Sequence, residues 1–278
     1  MQELFSRDLT SLTPSLWLAR GVLEYVGVEE ARAATGVRVA VLGQVPSPWS
    51  EAVKGTLRIA GVPALVARKT RDNGADFVAW TGVDNVPAVF HGVEPVRTTF
   101  SAIVGLLARL AAPDTVIPSD PVARADVMGA LELVAGEDGL GWNGRLAMID
   151  ASLTAGRGFS KPIGELLARR YGYTPGALPA VRARVTLQLA SLHARLAAQH
   201  ARGHAYLTGP TVSALDVYLA TFLTPLFPIT DDVCPQLGPM VRAAFGCAAE
   251  AFGPLVSPEL AAHRTLMFER HLEWPIPL

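Results

Sequence analysis

The stretch VRVAVLGQVPSPWSEAVKGTLRIAGVPALV, residues 37–66, decides the fold of this chain. It opens with the apolar run VRVAVL, which predicts a buried strand, and continues through the turn GQVPSPWS into the amphipathic segment EAVKGTLRIAG. A second apolar run, ALVA, follows the Val62-Pro63 step. A strand, a helix and a second strand in about thirty residues form a βαβ unit. Its two strands should be parallel and joined by a right-handed crossover.

The turn within this unit raises the chemical question. Pro48 suits the first position of a helix, and Ser47 suits the N-cap before it. The Ser47 hydroxyl then lies at the positive end of a helix dipole, where it either caps the helix or holds an anion. The residues alone leave both interpretations open, and Ser50, one turn further into the helix, is a second candidate donor.

Composition and charge exclude several classes of function. The chain has 278 residues, enough for one large domain or two ordinary ones, and 50% of them are hydrophobic. A formal net charge of −1 gives no electrostatic basis for binding nucleic acid or an anionic membrane surface. No apolar run approaches the roughly 20 residues that span a bilayer, and the first residues lack the pattern of a secretory signal. Cys234 and Cys247 are too far apart for a redox or zinc pair. We therefore expect a soluble cytoplasmic protein with two buried thiols.

Changes in sequence pattern divide the chain into four parts. We predict an N-terminal helical extension, an α/β domain, a proline-rich linker and an all-helical domain, over residues 1–36, 37–112, 113–119 and 120–278. The extension is predicted to be helical because Leu16, Ala19, Leu23 and Val26 recur at helical spacing. Late in the α/β domain, VPAVFHGVEPVRT predicts a β-hairpin, and Pro95 places its second strand at a sheet edge.

This order of elements resembles the glutathione transferase superfamily from Val37 to about Gly253, in a serine-type, bacterial-like form with an atypical N-terminal extension. SPWSEAVKGTLRIAGV is similar to the first-helix signature of the serine-type classes, and NVPAVF resembles the segment whose proline is cis in that family. YLTGPTVSALDVYLAT is similar to the capping motif of the sixth helix, in which Ser213 and Asp216 form a capping box. The resemblance implies an α/β plus all-α fold, with a thioredoxin-like N-terminal domain followed by an all-helical C-terminal domain.

The resemblance also implies glutathione as co-substrate, with Ser47 as the catalytic residue that hydrogen-bonds its sulfur. The residues implied to contact the rest of glutathione are Asn85, Val86, Pro87, Thr98 and Thr99. The sequence departs from the family at the start of the third helix, where an acidic residue or glutamine is usually followed by serine. Thr99 and Phe100 stand there instead, with Arg97 and Thr98 as possible substitutes for one end of the contact. A lost hydrogen bond to a charged group costs about 1.5–3 kcal/mol, so the missing carboxylate lowers the expected affinity for glutathione.

A second substrate, a small apolar electrophile, is expected between the domains. The residues expected to line its site are Trp49, Met128, Leu131 and Glu132. Glu132 is interpreted either as a paired structural acid or as a general acid or base directed at the substrate. No metal site is expected, because His193, His200 and His204 share a helical face without a carboxylate at ligand spacing.

Two functional hypotheses follow. The first is a glutathione transferase-like enzyme, in which the thiolate of glutathione attacks the electrophile by conjugation or elimination. The second is a non-catalytic binding or scaffold protein with a degraded glutathione site. The resemblance further implies a homodimer.

Overall fold

The computed structural model describes residues 22–278, so Leu16 and Ala19 of the predicted extension lie outside the described residues. A four-stranded sheet forms the centre of the first domain, in the order β1-β3-β2-β4. Its strands are β1 Leu23–Val26, β2 Val37–Leu42, β3 Ala64–Lys69 and β4 Ala88–His91. Strands β2 and β3 are parallel, with Val37 opposite Ala64, and β4 pairs with β2 in the antiparallel sense. The predicted βαβ unit is therefore confirmed.

In the described part of the predicted helical extension, the prediction is wrong for residues 23–26 and holds for residues 28–33. Leu23–Val26 forms a strand parallel to β3, with Leu23 opposite Ala64. Only Val28–Ala33 is helical, as α1. Residues spaced three apart fit a helix, but the free edge of β3 offers backbone donors and acceptors that this strand satisfies. Pairing with β3 overrides the helical pattern, which Gly21 and Gly27 already weaken in the sequence.

Among residues 22–278, three further helices lie in the first domain and seven in the second. The first-domain helices are α2 Pro48–Ala60, α3 Gly74–Thr81 and α4 Phe100–Leu110. The second-domain helices are α5 Pro121–Ala135, α6 Leu140–Ala155, α7 Lys161–Tyr171, α8 Leu178–His200, α9 Ala214–Leu223, α10 Pro239–Phe252 and α11 Pro258–Arg270. Short 3₁₀ turns occupy Thr224–Leu226 and Gly253–Leu255. Within residues 22–278, no helix combines the length and apolarity that crossing a bilayer requires.

The predicted linker packs into the core. Val116 and Ile117 are buried, and the Val116 carbonyl accepts a hydrogen bond from the Ala214 N–H at 2.8 Å. Because Ala214 begins α9, the linker is tied to the helix that also packs against α2. The two domains are thus joined by one continuous hydrophobic core.

The predicted capping box at the start of α9 is confirmed. The Asp216 carboxylate is fully buried and accepts hydrogen bonds from the Ser213 N–H at 2.9 Å, the Ser213 hydroxyl at 2.7 Å and the Leu207 N–H at 2.7 Å. His263 Nε2 lies 3.2 Å from the same carboxylate. The motif therefore joins the loop before α9 and helix α11 to the start of α9.

Candidate functional site

The turn between β2 and α2 places Ser47 at the N-cap of α2, with Pro48 at the first helical position. Ser47 is 6% exposed, and its carbonyl accepts the Glu51 N–H at 2.9 Å. The Ser47 side chain makes no capping hydrogen bond to the helix. Since N-cap hydroxyls ordinarily accept from the second or third helical N–H, this hydroxyl and the orphan N–H groups of the first turn remain available to an anion.

Ser50, the other candidate donor, is engaged elsewhere. Its Oγ accepts the Leu42 N–H at 3.1 Å, and the residue is fully buried. That bond fastens the end of β2 to the first turn of α2. Ser50 therefore fixes the turn, and Ser47 is the hydroxyl left at the helix end.

Strand register brings the other predicted contacts to this end of the sheet. In the antiparallel pair of β2 and β4, the register ends with Ala40 opposite Ala88, and Val86 lies two residues before Ala88 in the chain. The Val86–Pro87 peptide bond is cis. The backbone of Val86 therefore adjoins the strand end from which the Ser47 turn starts.

The predicted hairpin is present in reduced form. Val89 and Arg97 exchange both backbone hydrogen bonds, at 2.8 and 3.0 Å, as an isolated antiparallel bridge. Pro95 lies outside the bridge, as expected of a residue that has no N–H to donate. Thr98 and Thr99 follow Arg97 directly, between this bridge and the start of α4.

The start of α4 keeps the departure seen in the sequence. Thr99 is its N-cap, and the Thr99 hydroxyl accepts the Ala102 N–H at 3.3 Å. Phe100 packs edge-on against Tyr218, with ring centroids 6.3 Å apart. Thr99 is thus already used for capping and Phe100 for packing.

Arg97 is bound by Glu94, whose carboxylate has three basic neighbours that the sequence did not reveal. The Glu94 carboxylate accepts from Arg97 at 2.6 Å and from Arg109 of α4 at 2.6 Å, and His91 Nδ1 lies 2.8 Å from it. Hydrogen bonds from Arg109 and His91 are the largest causes that lower the pKa of Glu94 to about 2. Arg97 is therefore committed to ordering the hairpin and is not free for a ligand carboxylate.

Asn85 connects the domains. Its side-chain oxygen accepts a hydrogen bond from Arg170 of α7 at 2.8 Å. Both side chains are exposed, so this bridge lies at the surface, just before the Val86–Pro87 segment. The predicted ligand contact is occupied here by an interdomain hydrogen bond.

Trp49 lines a narrow cleft between the domains, which we call the Trp49 cleft. Trp49 Nε1 donates to the Ala135 carbonyl at 3.1 Å, and its ring meets Phe222 edge-on with centroids 4.8 Å apart. The space that the cleft encloses is about 10 Å³, enough for about one water molecule. Among its lining residues are Pro48, Trp49, Gly141, Arg145, Met148 and Phe222.

The other residues expected to line the second-substrate site lie elsewhere. Leu131 is fully buried in the core, and Met128 packs against that core half-buried. Glu132 is exposed, and its carboxylate lies against Gly136 at the end of α5. Helical spacing could not show that the core covers Leu131 and part of Met128 while Glu132 stays exposed. The wall of the cleft comes from α6 and α9 instead.

Among residues 22–278, no group of three or more His, Cys, Asp or Glu side chains is arranged to hold a metal ion. Cys234 and Cys247 are free and buried, and burial is the largest cause that raises the pKa of Cys234 to about 11. Neither thiol is therefore set up as a nucleophile.

Comparisons with known proteins identify the fold. No protein-family model matches the sequence, and no curated protein matches it. Among solved structures, the chain is similar to beta-etherase LigF from Sphingobium sp. strain SYK-6, with a TM-score of 0.54 and 17% identity over 82% of this chain and 98% of that one. It also matches human glutathione S-transferase T1-1, with a TM-score of 0.49 and 20% identity over 84% and 100% of the two chains. Glutathione transferase Omega 3C from Trametes versicolor matches with a TM-score of 0.49 and 17% identity over 86% of this chain and 92% of that one.

Proposed function

We propose that this chain, which has the fold of the glutathione transferases, is a glutathione-dependent enzyme acting on a small apolar electrophile. Ser47 donates its hydroxyl hydrogen to the glutathione sulfur and stabilises the thiolate. The thiolate attacks the electrophilic carbon, a C–S bond forms, and the leaving group departs with the bonding electron pair. The thiol proton goes to solvent. The protein acts as a cytoplasmic homodimer.

The observation that best supports this proposal is the Ser47 hydroxyl, which makes no capping hydrogen bond at the start of α2. Ser47 is nearly buried and makes no capping hydrogen bond, while Ser50 is used to fasten β2. A free thiol with pKa about 8.5 is only a few per cent thiolate at pH 7. A shift of about two units makes the thiolate the major form and corresponds to about 2.7 kcal/mol. One charge-assisted hydrogen bond together with the helix dipole supplies energy of this size.

The rest of glutathione is expected along the end of the sheet. The backbone of Val86 adjoins the Ser47 turn, and an extended peptide can pair with such a strand end. Thr98, Thr99 and Asn85 are proposed to contact the peptide.

The scaffold hypothesis also has specific support. Arg97 is bound by Glu94, Phe100 by Tyr218, and Asn85 by Arg170. Two of the expected polar contacts, Arg97 and Asn85, are thus replaced by intramolecular ones, and Phe100 packs in the position where the family usually has a polar residue. A chain that keeps the fold but binds no glutathione is the result this alternative predicts.

Thermal unfolding with and without reduced glutathione separates the two. A ligand present at about 100 times its Kd stabilises the native state by about 2.7 kcal/mol. For a chain of this size that raises Tm by roughly 5–10 °C. A rise with millimolar glutathione supports the enzyme, and no rise contradicts it.

S-methylglutathione is the matched ligand control, because it keeps the peptide and lacks the thiol. If Ser47 contacts a thiolate, the methylated peptide should bind more weakly than glutathione at pH 8, where the bound thiol is ionised. Equal stabilisation by both peptides would place the sulfur away from Ser47.

A further inference from the structure

The Trp49 cleft contains a charged side chain that the proposed function has not used. Its walls are apolar except for Arg145, which projects from α6 beside Gly141 and Met148. The cleft begins at Pro48, the residue after Ser47. The lining of the cleft thus includes the residue that directly follows Ser47 in the chain.

Arg145 has few partners for its donors. Its Nη1 contacts Met148 Sδ at 3.5 Å, and thioether sulfur is a weak acceptor. Its Nε is buried and has no hydrogen-bond partner. Within the described residues 22–278, no ion pair joins Arg145 to a carboxylate, whereas Arg184 and Arg195 of α8 pair with Asp138 and Asp126. Arginine is always charged in proteins, so this half-buried cation lacks a counter-ion.

Aromatic stacking accounts for only part of this arrangement. The Arg145 guanidinium carbon lies 5.6 Å from the ring centre of Phe159 and 5.9 Å from that of Tyr171. Such contacts use the face of the guanidinium, while its five N–H donors lie in its plane. The in-plane N–H donors of Arg145, including the buried Nε, therefore still need an acceptor. A carboxylate matches this planar fork best.

We propose that the Trp49 cleft binds an apolar molecule carrying a carboxylate, with the carboxylate on Arg145 and the apolar body against Trp49 and Phe222. Resting on the proposed function, this inference names the substrate class as a carboxylate-bearing electrophile. The closed part of the cleft admits about one water molecule. The apolar body therefore enters from the mouth beside Pro48 and displaces the Met148 side chain, whose unbranched thioether adapts readily.

Benzoate and benzamide are suitable probes, because they share an aromatic body and differ in charge. Each is titrated against the full-length protein by calorimetry, with and without reduced glutathione, and glutathione binding is measured alone. Arg145→Gln removes the charge, and Arg124→Gln, at an exposed position on α5, is the matched control. We expect benzoate to bind at least about ten-fold more tightly than benzamide. That preference should be lost in Arg145→Gln and kept in Arg124→Gln.

Stability of the free protein distinguishes a ligand-binding arginine from a structural one. Arg145→Gln should leave Tm unchanged or raise it, since no carboxylate loses its partner. A large fall in Tm, equal binding of both probes to the wild-type protein, or unchanged benzoate preference in Arg145→Gln overturns the inference. If that variant does not fold, the comparison of benzoate with benzamide on the wild-type protein decides. Glutathione binding without benzoate binding rejects this inference alone, whereas failure to bind glutathione rejects the proposed function.

Discussion

Gly55→Ala should weaken the contact between the two domains. Gly55 lies in the middle of α2, the helix that carries Ser47 at its start. A Cβ at this position would meet Leu272 Cδ2 at 2.5 Å and Val217 Cγ1 at 2.7 Å. The end of the leucine side chain can move. Val217 of α9 cannot do so easily, because β-branched side chains have one strongly preferred rotamer in a helix. The two domains would therefore have to separate slightly along α2 and α9.

The size of the effect follows from two opposing terms. Overpacking a well-packed core costs about 1–3 kcal/mol. Replacing glycine by alanine inside a helix returns about 0.5–1 kcal/mol. Gly105 in the middle of α4 is the matched control, because a Cβ there meets no atom within 4 Å. Gly105→Ala should stabilise the protein, and the helix term largely cancels between the two variants. Gly55→Ala should then be less stable than Gly105→Ala by about 1–3 kcal/mol.

Equilibrium denaturation in urea measures this difference, and thermal unfolding gives an independent check. A difference of about 1 kcal/mol corresponds to roughly 2–4 °C in Tm for a chain of this size. Gly55→Ala should lower the denaturation midpoint without changing the slope. If Gly55→Ala proves as stable as Gly105→Ala, the packing of α2 on α9 is looser than described, and the position of Ser47 loses its main support.

Two further substitutions and one pH profile test other parts of the account. Asp216→Ala should cost about 3–5 kcal/mol by denaturation, because buried donors of the capping box lose their acceptor, whereas Ser213→Ala should cost only about 1 kcal/mol. Lys54→Met should also cost about 3–5 kcal/mol, since it leaves the Glu51 carboxylate, 2.8 Å away, without its ion-pair partner and leaves Glu273 with Arg58 alone, at 3.7 Å; a neutral result would show that these carboxylates are solvated. Glu94→Gln should lower stability at pH 7, and its difference from wild type should vanish as the pH falls from 4.5 to about 2, the range between the ordinary and lowered pKa of Glu94. A difference that persists below pH 2 would mean that Glu94 acts through its shape and not its charge.

Local patterns in the sequence predicted the parts of the fold that depend on neighbouring residues. The βαβ unit around Ser47, the capping box at Ser213 and Asp216, and the helix start at Thr99 all rest on short-range rules, and the structure has each of them. Strand β1 was missed because it forms only through pairing with β3, which is distant in the chain. A helical spacing of three residues carries no information about a free sheet edge.

The candidate site was predicted less completely than the fold. Ser47 could be singled out because its role depends on the helix that directly follows it. The packing of its neighbour Trp49 could not, because the Trp49 ring lies against Phe222 of α9 and Gly141 of α6 and meets α5, the helix of Leu131, through the hydrogen bond to the Ala135 carbonyl. The same holds for Glu94 and Arg145. Glu94 also meets Arg109 of α4, and Arg145 lies beside the rings of Phe159 and Tyr171, and these contacts depend on how separate elements pack.

The pKa of the glutathione thiol in the complex tests the central proposal most directly. Thiolate absorbance is followed as a function of pH for the wild-type protein and for Ser47→Ala, each saturated with glutathione. The wild-type complex should titrate about two units below the free thiol value of about 8.5, and Ser47→Ala should return most of that shift while binding the peptide with similar affinity. The same thiol pKa in both complexes would contradict the assignment of Ser47.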